Sequence, residues 1–498
     1  MRKRICLIGL DGVGLRNLNS ILSSLTLNRI SLIVNKGFVS SFTSIPPYTP
    51  STWTSIFSGV NPGKHGIFGF FKVVRSKGEF KVSLANSFDI MYPRIFEILS
   101  FHGLKSIIVN VPLVLPIKGI IGHRNLVVVS DWASPIQLIY PRRYEDKYRE
   151  FLIKPPHEWW AIDERNYIKK IESFLENRIN MYLDLLERVN FNLYIIVFSE
   201  LDWIMHKVPD IIVGRRVNLV YKVCSLIESF VHKAIELCDL VILISDHGFR
   251  IAKMFLSINS ILAEKNLLSF GYRLNLDRLF RRKSLNLKYN SKLKTLGSIG
   301  KSLQSIFRLV KSNTPGYLLD KLVSVVPLSI HVDYLNSKAF MIESETWGIY
   351  VKEKYRKLVK HIFKNIGLVR NVLDRETLYW GPFTNLAPDV ILIPKGIVAF
   401  DARIYSEPTY RNYLGVHHPQ ALIALYGDEV LPESSIGELH TSMYDIVPTI
   451  LAYLGLPIPS NTDGRPLVKL FTNELPVEKF EYLQRFKMLR RIKQATFQ

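Results

Sequence analysis

Four short apolar runs, KRICLIGLDG, SIIVNVPL, LYIIVFSELDW and LVILISDHG, share one design: a β-branched core followed at once by polar side chains. Between them lie segments of helical period such as YPRIFEILSFHG and RINMYLDLLERV. Short buried strands alternating with amphipathic helices predict an α/β fold, a mainly parallel central sheet flanked by helices on both faces. In such sheets ligands bind outside the carboxyl ends of the strands. The polar residues that close these runs are therefore the first candidates for function.

A chain of 498 residues, 48% hydrophobic and 12% aromatic, can bury a large core and falls outside the disordered class. The strand pattern loosens after SDHGFR and returns at KAFMIES. The expected organisation is a first part of a catalytic domain at 1–254, a basic helical and loop insertion at 255–335, the rest of the catalytic domain at 336–476 and a basic tail at 477–498. The formal net charge is +22, and residues 251–330 hold 14 Lys and Arg against 3 Asp and Glu. Such a face attracts nucleic acid, an anionic membrane surface or an anionic substrate. Arg281, Arg282 and Lys283 are expected to border the mouth of the site. Cys6, Cys224 and Cys238 are too few and too scattered for a disulfide framework or a thiolate metal site. A reducing, cytoplasmic setting is the expectation. No apolar run has the roughly 18 residues of a spanning helix, and Asp11 cuts short the apolar stretch behind the basic start.

In YTPSTWTSIFSG, Thr49 takes an N-cap position, Pro50 the first helical position and Gly59 the stop. A hydroxyl there sits at the positive end of a helix dipole, where an alkoxide or a phosphoryl oxygen is favoured. A hydroxyl attacks only if something nearby removes its proton. Asp11 closes the first strand, Asp202 and His206 form D-x-x-x-H, Asp246 and His247 close LVILISDHG, and His417 and His418 lie in GVHHP. One strand-end aspartate is usually a turn former, but several in one chain can converge on one sheet edge. Oxygen and imidazole donors without thiolate suit zinc, manganese or iron better than magnesium. Two such ions can clamp the attacking and leaving oxygens of a displacement.

Together GLDG, TPSTWTSIFSGVNPGKHGI, DWIMH, ISDHG, GVHHP and YDIVPTILAYLGLPIPSNTDGRPL resemble, in order, the nucleotide pyrophosphatase/type I phosphodiesterase family of the alkaline phosphatase superfamily. The resemblance implies an alkaline phosphatase-like fold, a two-zinc site and a Thr or Ser nucleophile that becomes phosphorylated. By motif, Thr49 is the nucleophile. Asp11, Asp246 and His247, with Thr49, fall on one metal, and Asp202, His206 and His417 on the other. The G-x-H spacing from Gly415 favours His417 over its rival His418. His65 in GKHGI falls in the family loop as a shaping residue, and His440 is structural. Eukaryotic members carry asparagine where this chain has Thr52; the amides of Ser51 and Thr52 are candidate oxyanion donors. The sulfatase pattern C/S-x-P-S-R finds no arginine here.

The leading expectation is a metal-dependent phosphodiesterase or nucleotide pyrophosphatase with two divalent ions, zinc before manganese or iron. Its substrate would be an anionic phosphate compound: a nucleotide, an activated sugar or a lipid-linked phosphate. A phosphomonoesterase or other phospho- or sulfo-ester hydrolase on the same scaffold is the alternative. A nucleic-acid or membrane-surface binder using the basic insertion is a third reading.

Overall fold

The computed structural model describes residues 3–76, 78–156, 162–274, 328–437 and 439–495. Eight strands form the central sheet, in the spatial order 38–40, 423–426, 240–244, 5–10, 193–198, 106–109, 126–129, 139–140. The five from 240–244 to 126–129 run parallel. Antiparallel strands close both edges.

Alternation along each strand sends side chains to two cores. In Ile5–Leu10, Cys6, Ile8 and Leu10 join the core under helices Glu164–Arg188 and Tyr221–Leu237. Ile5 and Leu7 join the opposite core, under Thr49–Ser58, Ile95–Phe101 and Ile446–Tyr453. Both faces are thus covered, and all ten residues of Thr49–Ser58 are buried. The mainly parallel α/β expectation holds, and the carboxyl ends of the five parallel strands open on one edge.

Past His247 the chain leaves the sheet as the long strand Gly248–Ser257, which pairs with Val398–Asp401 in parallel and Thr409–His418 in antiparallel register. This ribbon leads to a four-stranded antiparallel sheet of 339–340, 348–351, 390–394 and 369–374. Its core includes Phe340, Trp347 and Ile391, and Ile258, Leu262 and Leu268 pack into it. The antiparallel pair Phe270–Leu274 and Leu328–Val332 flanks residues 275–327. Most of the expected basic insertion, with Arg281, Arg282 and Lys283, lies outside the described residues. Helix Tyr482–Ala495 occupies the basic C-terminal stretch. All three cysteines are free. Among the described residues no helix is long and apolar enough to cross a membrane.

Candidate metal and nucleophile site

Three neighbouring strand ends bring the candidate residues together. Asp11 follows Ile5–Leu10, and Asp246 and His247 follow Leu240–Ile244, its parallel neighbour. On the other side, Leu193–Phe198 runs into helix Glu200–Lys207, which carries Asp202 and His206 one turn apart. The returning strand sets His417 opposite Phe249, two residues past His247. Successive strand side chains point to opposite faces. His417 therefore enters the cluster, while the His418 ring accepts the Gln420 amide at 3.2 Å.

Ligand atoms of Asp202, His206 and His417 lie within 4.8 Å of one another, and so do those of Asp11, Asp202 and His247. Asp246 Oδ2 is 3.4 Å from His247 Nε2. By motif Asp202 falls in the second set alone; the structure puts it in reach of both. Its Oδ1 is 3.6 Å from His417 Nε2 and its Oδ2 3.7 Å from His206 Nε2. Thr49 Oγ1 is 3.3 Å from His247 Nε2.

Each histidine has its Nδ1 against a backbone carbonyl: His206 on Gly415 at 3.0 Å, His247 on Gly248 at 3.1 Å and His417 on Pro47 at 2.8 Å. Donation from Nδ1–H leaves Nε2 with its lone pair facing the centre, the tautomer that binds a metal. The carboxylates are similarly braced. Ser199 Oγ donates to Asp11 Oδ2 at 2.6 Å, and the amides of Gly12 and His247 donate to Asp246 Oδ1 at 3.2 and 3.0 Å. Asp11 Oδ1, Asp202 Oδ1 and Asp246 Oδ2 are buried without a hydrogen-bond partner. Three orphaned carboxylate oxygens beside three imidazole lone pairs are the donor set of a divalent cation. The residues present fit the metals expected of them.

The electrostatics agree. Burial and the Asp202 carboxylate push Asp11 up to about 7, and burial with Asp11 and Asp202 lifts Asp246 well above the carboxylate range. Burial, with His417 adding, drives His247 well down. Burial also opposes charge on His417, yet Glu345, Asp202 and the Pro47 carbonyl hold it at about 9. Protons here do what cations do better, and a metal displaces them on binding.

Helix Thr49–Ser58 begins one residue earlier than expected. Tyr48 holds the extended N-cap position, and Thr49 is already helical with its hydroxyl on His247 rather than on its own helix. Gly59 ends the helix at φ 69°. The Ser51 hydroxyl donates to the Tyr48 carbonyl at 3.1 Å. Thr52 shares a 2.7 Å hydrogen bond with Ser44 Oγ, and its amide donates to the Tyr48 carbonyl at 3.0 Å. Thr52 N–H is thus spent inside the helix, whereas Ser51 N–H belongs to the first turn, whose amides have no intrahelical acceptor. His65 binds Ser55 Oγ at 2.9 Å and accepts the Ile67 amide at 3.1 Å, away from the cluster, and burial lowers it to about 3. His440 is exposed.

Several supporting groups had no sequence signal. Ser199 and the Pro47 and Gly415 carbonyls are among them. Phe249 packs edge-on against His206 and His417, with ring centroids 4.8 and 5.3 Å away. A Cβ on Gly12, at φ +72°, would meet the Phe249 ring at 2.5 Å. Tyr48 donates to Glu343 Oε1 at 2.5 Å, and Glu343 also accepts the amides of Phe70 and Phe71. That carboxylate ties the segment leading into the four-stranded sheet to the start of helix Thr49–Ser58.

A type I phosphodiesterase/nucleotide pyrophosphatase model matches residues 5–393. The chain belongs to this family. It is accordingly an enzyme of the phosphoester-hydrolase class, and the family is metal-dependent. No curated protein sequence gives a significant match. Solved structures share the family's alkaline phosphatase-like fold. Phosphonoacetate hydrolase from Sinorhizobium meliloti 1021, in complex with phosphonoformate, is 14% identical, with a TM-score of 0.53 over 90% of this chain and 94% of that one. Wild-type alkaline phosphatase PafA is 13% identical, with a TM-score of 0.55 over 95% and 99%. Human ectonucleotide pyrophosphatase/phosphodiesterase 5 is 11% identical, with a TM-score of 0.53 over 95% and 100%. At these identities the likeness is one of fold.

Proposed function

We propose that the chain hydrolyses a phosphodiester or phosphoanhydride through a phosphorylated Thr49, at a site for two divalent cations, zinc before manganese or iron. The observation that carries this reading is the convergence of three orphaned carboxylate oxygens and three imidazole Nε2 atoms beside Thr49 Oγ1. Bound there, the cations supply charge that lowers the pKa of the threonine hydroxyl and stabilises the oxygens of the transition state.

Asp11, Asp246 and His247 would hold one cation and His206 and His417 the other, with Asp202 in reach of both sets. Thr49 Oγ1 gives its proton to solvent and forms a bond to phosphorus as the bond to the leaving oxygen breaks, that oxygen taking the electron pair. The Ser51 amide, at the positive end of the helix, faces the phosphoryl oxygen. Water then attacks phosphorus, the bond to Thr49 Oγ1 breaks, and the hydroxyl recovers a proton. The match to the type I phosphodiesterase family supports the diester reading over the phosphomonoesterase one.

The test is hydrolysis of bis-(p-nitrophenyl) phosphate and p-nitrophenyl phosphate by wild type, Thr49→Ala and Thr49→Ser, after chelation and after zinc or manganese addition. The expected result is metal-restored diester hydrolysis in wild type, a residue of it in the serine variant and a fall of at least about 10³-fold in the alanine variant. Equal rates in wild type and Thr49→Ala would remove Thr49 as nucleophile.

A further inference from the structure

Beside the cluster, at the carboxyl ends of the parallel strands Ser106–Val109 and Leu126–Val129, lies a cavity of about 390 Å³. That is within the size range of small-molecule sites. Its walls are chiefly Phe70, Leu113, Leu115, Ile136 and Leu138. Asp131 is the one charged residue in the lining, and its carboxylate is occupied by the Ala133 amide at 2.8 Å. A cavity with an acid and no base does not receive a phosphate.

Aromatic contacts join the cavity wall to residues beside the reaction site. Phe70 packs edge-on against Tyr48, the neighbour of Thr49, at 5.8 Å between ring centroids, and against Trp132 at 5.6 Å. Trp132 in turn meets Trp203, the neighbour of Asp202, at 6.2 Å. Leu126–Val129 is two strand spacings, about 10 Å, from the strand that leads to Asp202. Phe70 is both a wall of the cavity and a contact of the residue next to Thr49. The rim is apolar too: Leu84 is 67% and Ile136 58% exposed, so a group longer than the cavity continues along apolar surface.

The backbone adds an independent sign. Leu113 has φ +59°, a conformation that a bulky residue adopts at a cost and that glycine takes freely. The strained turn places a leucine side chain on the cavity wall, where a glycine would leave a gap.

We propose that this cavity binds the apolar chain, alkyl or isoprenyl, of an amphiphilic phosphodiester whose phosphorus is attacked at Thr49. This deepens the phosphodiesterase reading and rests on it for the turnover arm of its test. That arm measures kcat/KM for methyl, butyl and hexyl p-nitrophenyl phosphates, all monoanionic and soluble, with thymidine p-nitrophenyl phosphate as the nucleotide competitor. Full burial predicts a rise of about threefold to fourfold per added methylene. Leu113→Gly, which removes wall and backbone strain together, and Ala133→Trp, at an exposed position that fills the cavity, should keep the methyl ester rate and lose the rise with chain length. The binding arm is calorimetric titration with hexylphosphonate and methylphosphonate. Tighter binding of the hexyl compound, lost in both variants, upholds the cavity even if no diester is hydrolysed, and the failure would then belong to the phosphodiesterase reading. Rates and affinities independent of chain length, or a thymidine ester turned over faster than the hexyl ester, would overturn the proposal.

Discussion

Gly415 offers a sharp test of how the histidines are aimed. Its carbonyl accepts His206 Nδ1–H at 3.0 Å, and the strand can come that close only because residue 415 has no side chain. A Cβ there would lie 2.0 Å from the Met205 carbonyl oxygen, 2.8 Å from the Met205 carbonyl carbon and 2.9 Å from Ile212 Cδ1. Two of these atoms are backbone and cannot rotate away. Relieving the overlap to ordinary contact requires strand and helix to part by about 1 Å or more. The His206 bond then stretches towards about 4 Å, beyond hydrogen-bonding range. Overpacking of this kind costs about 1–3 kcal/mol of stability. Loss of a partner that orients a metal ligand costs about 10–100-fold in metal affinity. Gly415→Ala should therefore show weaker zinc binding in competition with a fluorescent chelator, a lower Tm and a lower diester rate at limiting metal. Gly367→Ala is the control, since nothing lies within 4 Å of its would-be Cβ. If both alanine variants bind zinc and melt like wild type, the account of the Gly415 contact is wrong.

Other consequences can be measured alongside. Ser199→Ala removes the donor to Asp11 Oδ2, a charge-assisted bond of about 1.5–3 kcal/mol, and should weaken metal binding by roughly tenfold or more without changing the fold; unchanged affinity would show that Asp11 orients itself. Metal at about 1,000 times its Kd should stabilise the protein by about 4 kcal/mol, so chelation should lower Tm and zinc restore it; a Tm indifferent to both would count against a built metal site. His65 is held neutral by burial, its pKa lowered to about 3. Between that value and the unfolded 6.5 the unfolded chain binds the proton and the folded one does not, so this group makes stability fall as pH drops through that window, by up to about 5 kcal/mol. Denaturant titrations of wild type and His65→Gln from pH 7 to 4 should show a shallower loss in the variant; parallel curves would refute the assignment.

The sheet and the strand-end residues were legible because both follow from local pattern. A buried parallel strand must be apolar, and its carboxyl end must turn polar where the site opens, so Asp11, Asp246 and His247 announced themselves. His417 could be separated from His418 by motif spacing, and strand alternation gives the physical reason. The double reach of Asp202 was hidden, since it depends on the tertiary placement of its helix. Backbone carbonyls, such as those of Pro47 and Gly415, carry no signature in a sequence at all. Ser199 looked like any residue after a strand, and the Leu113 turn offered no glycine to mark it.

The ribbon that returns His417 also sets when the cluster is complete. Six of the groups around the cluster, from Asp11 to His247, are made in the first half of the chain, and the seventh arrives on Thr409–His418. The strand Ile423–Tyr426 then wedges between Phe38–Ser40 and Leu240–Ile244. A nascent chain on the ribosome would hold an incomplete site until these late strands dock. Completion of the cluster is thus coupled to the docking of these late strands, and a product cut short before residue 409 would lack His417.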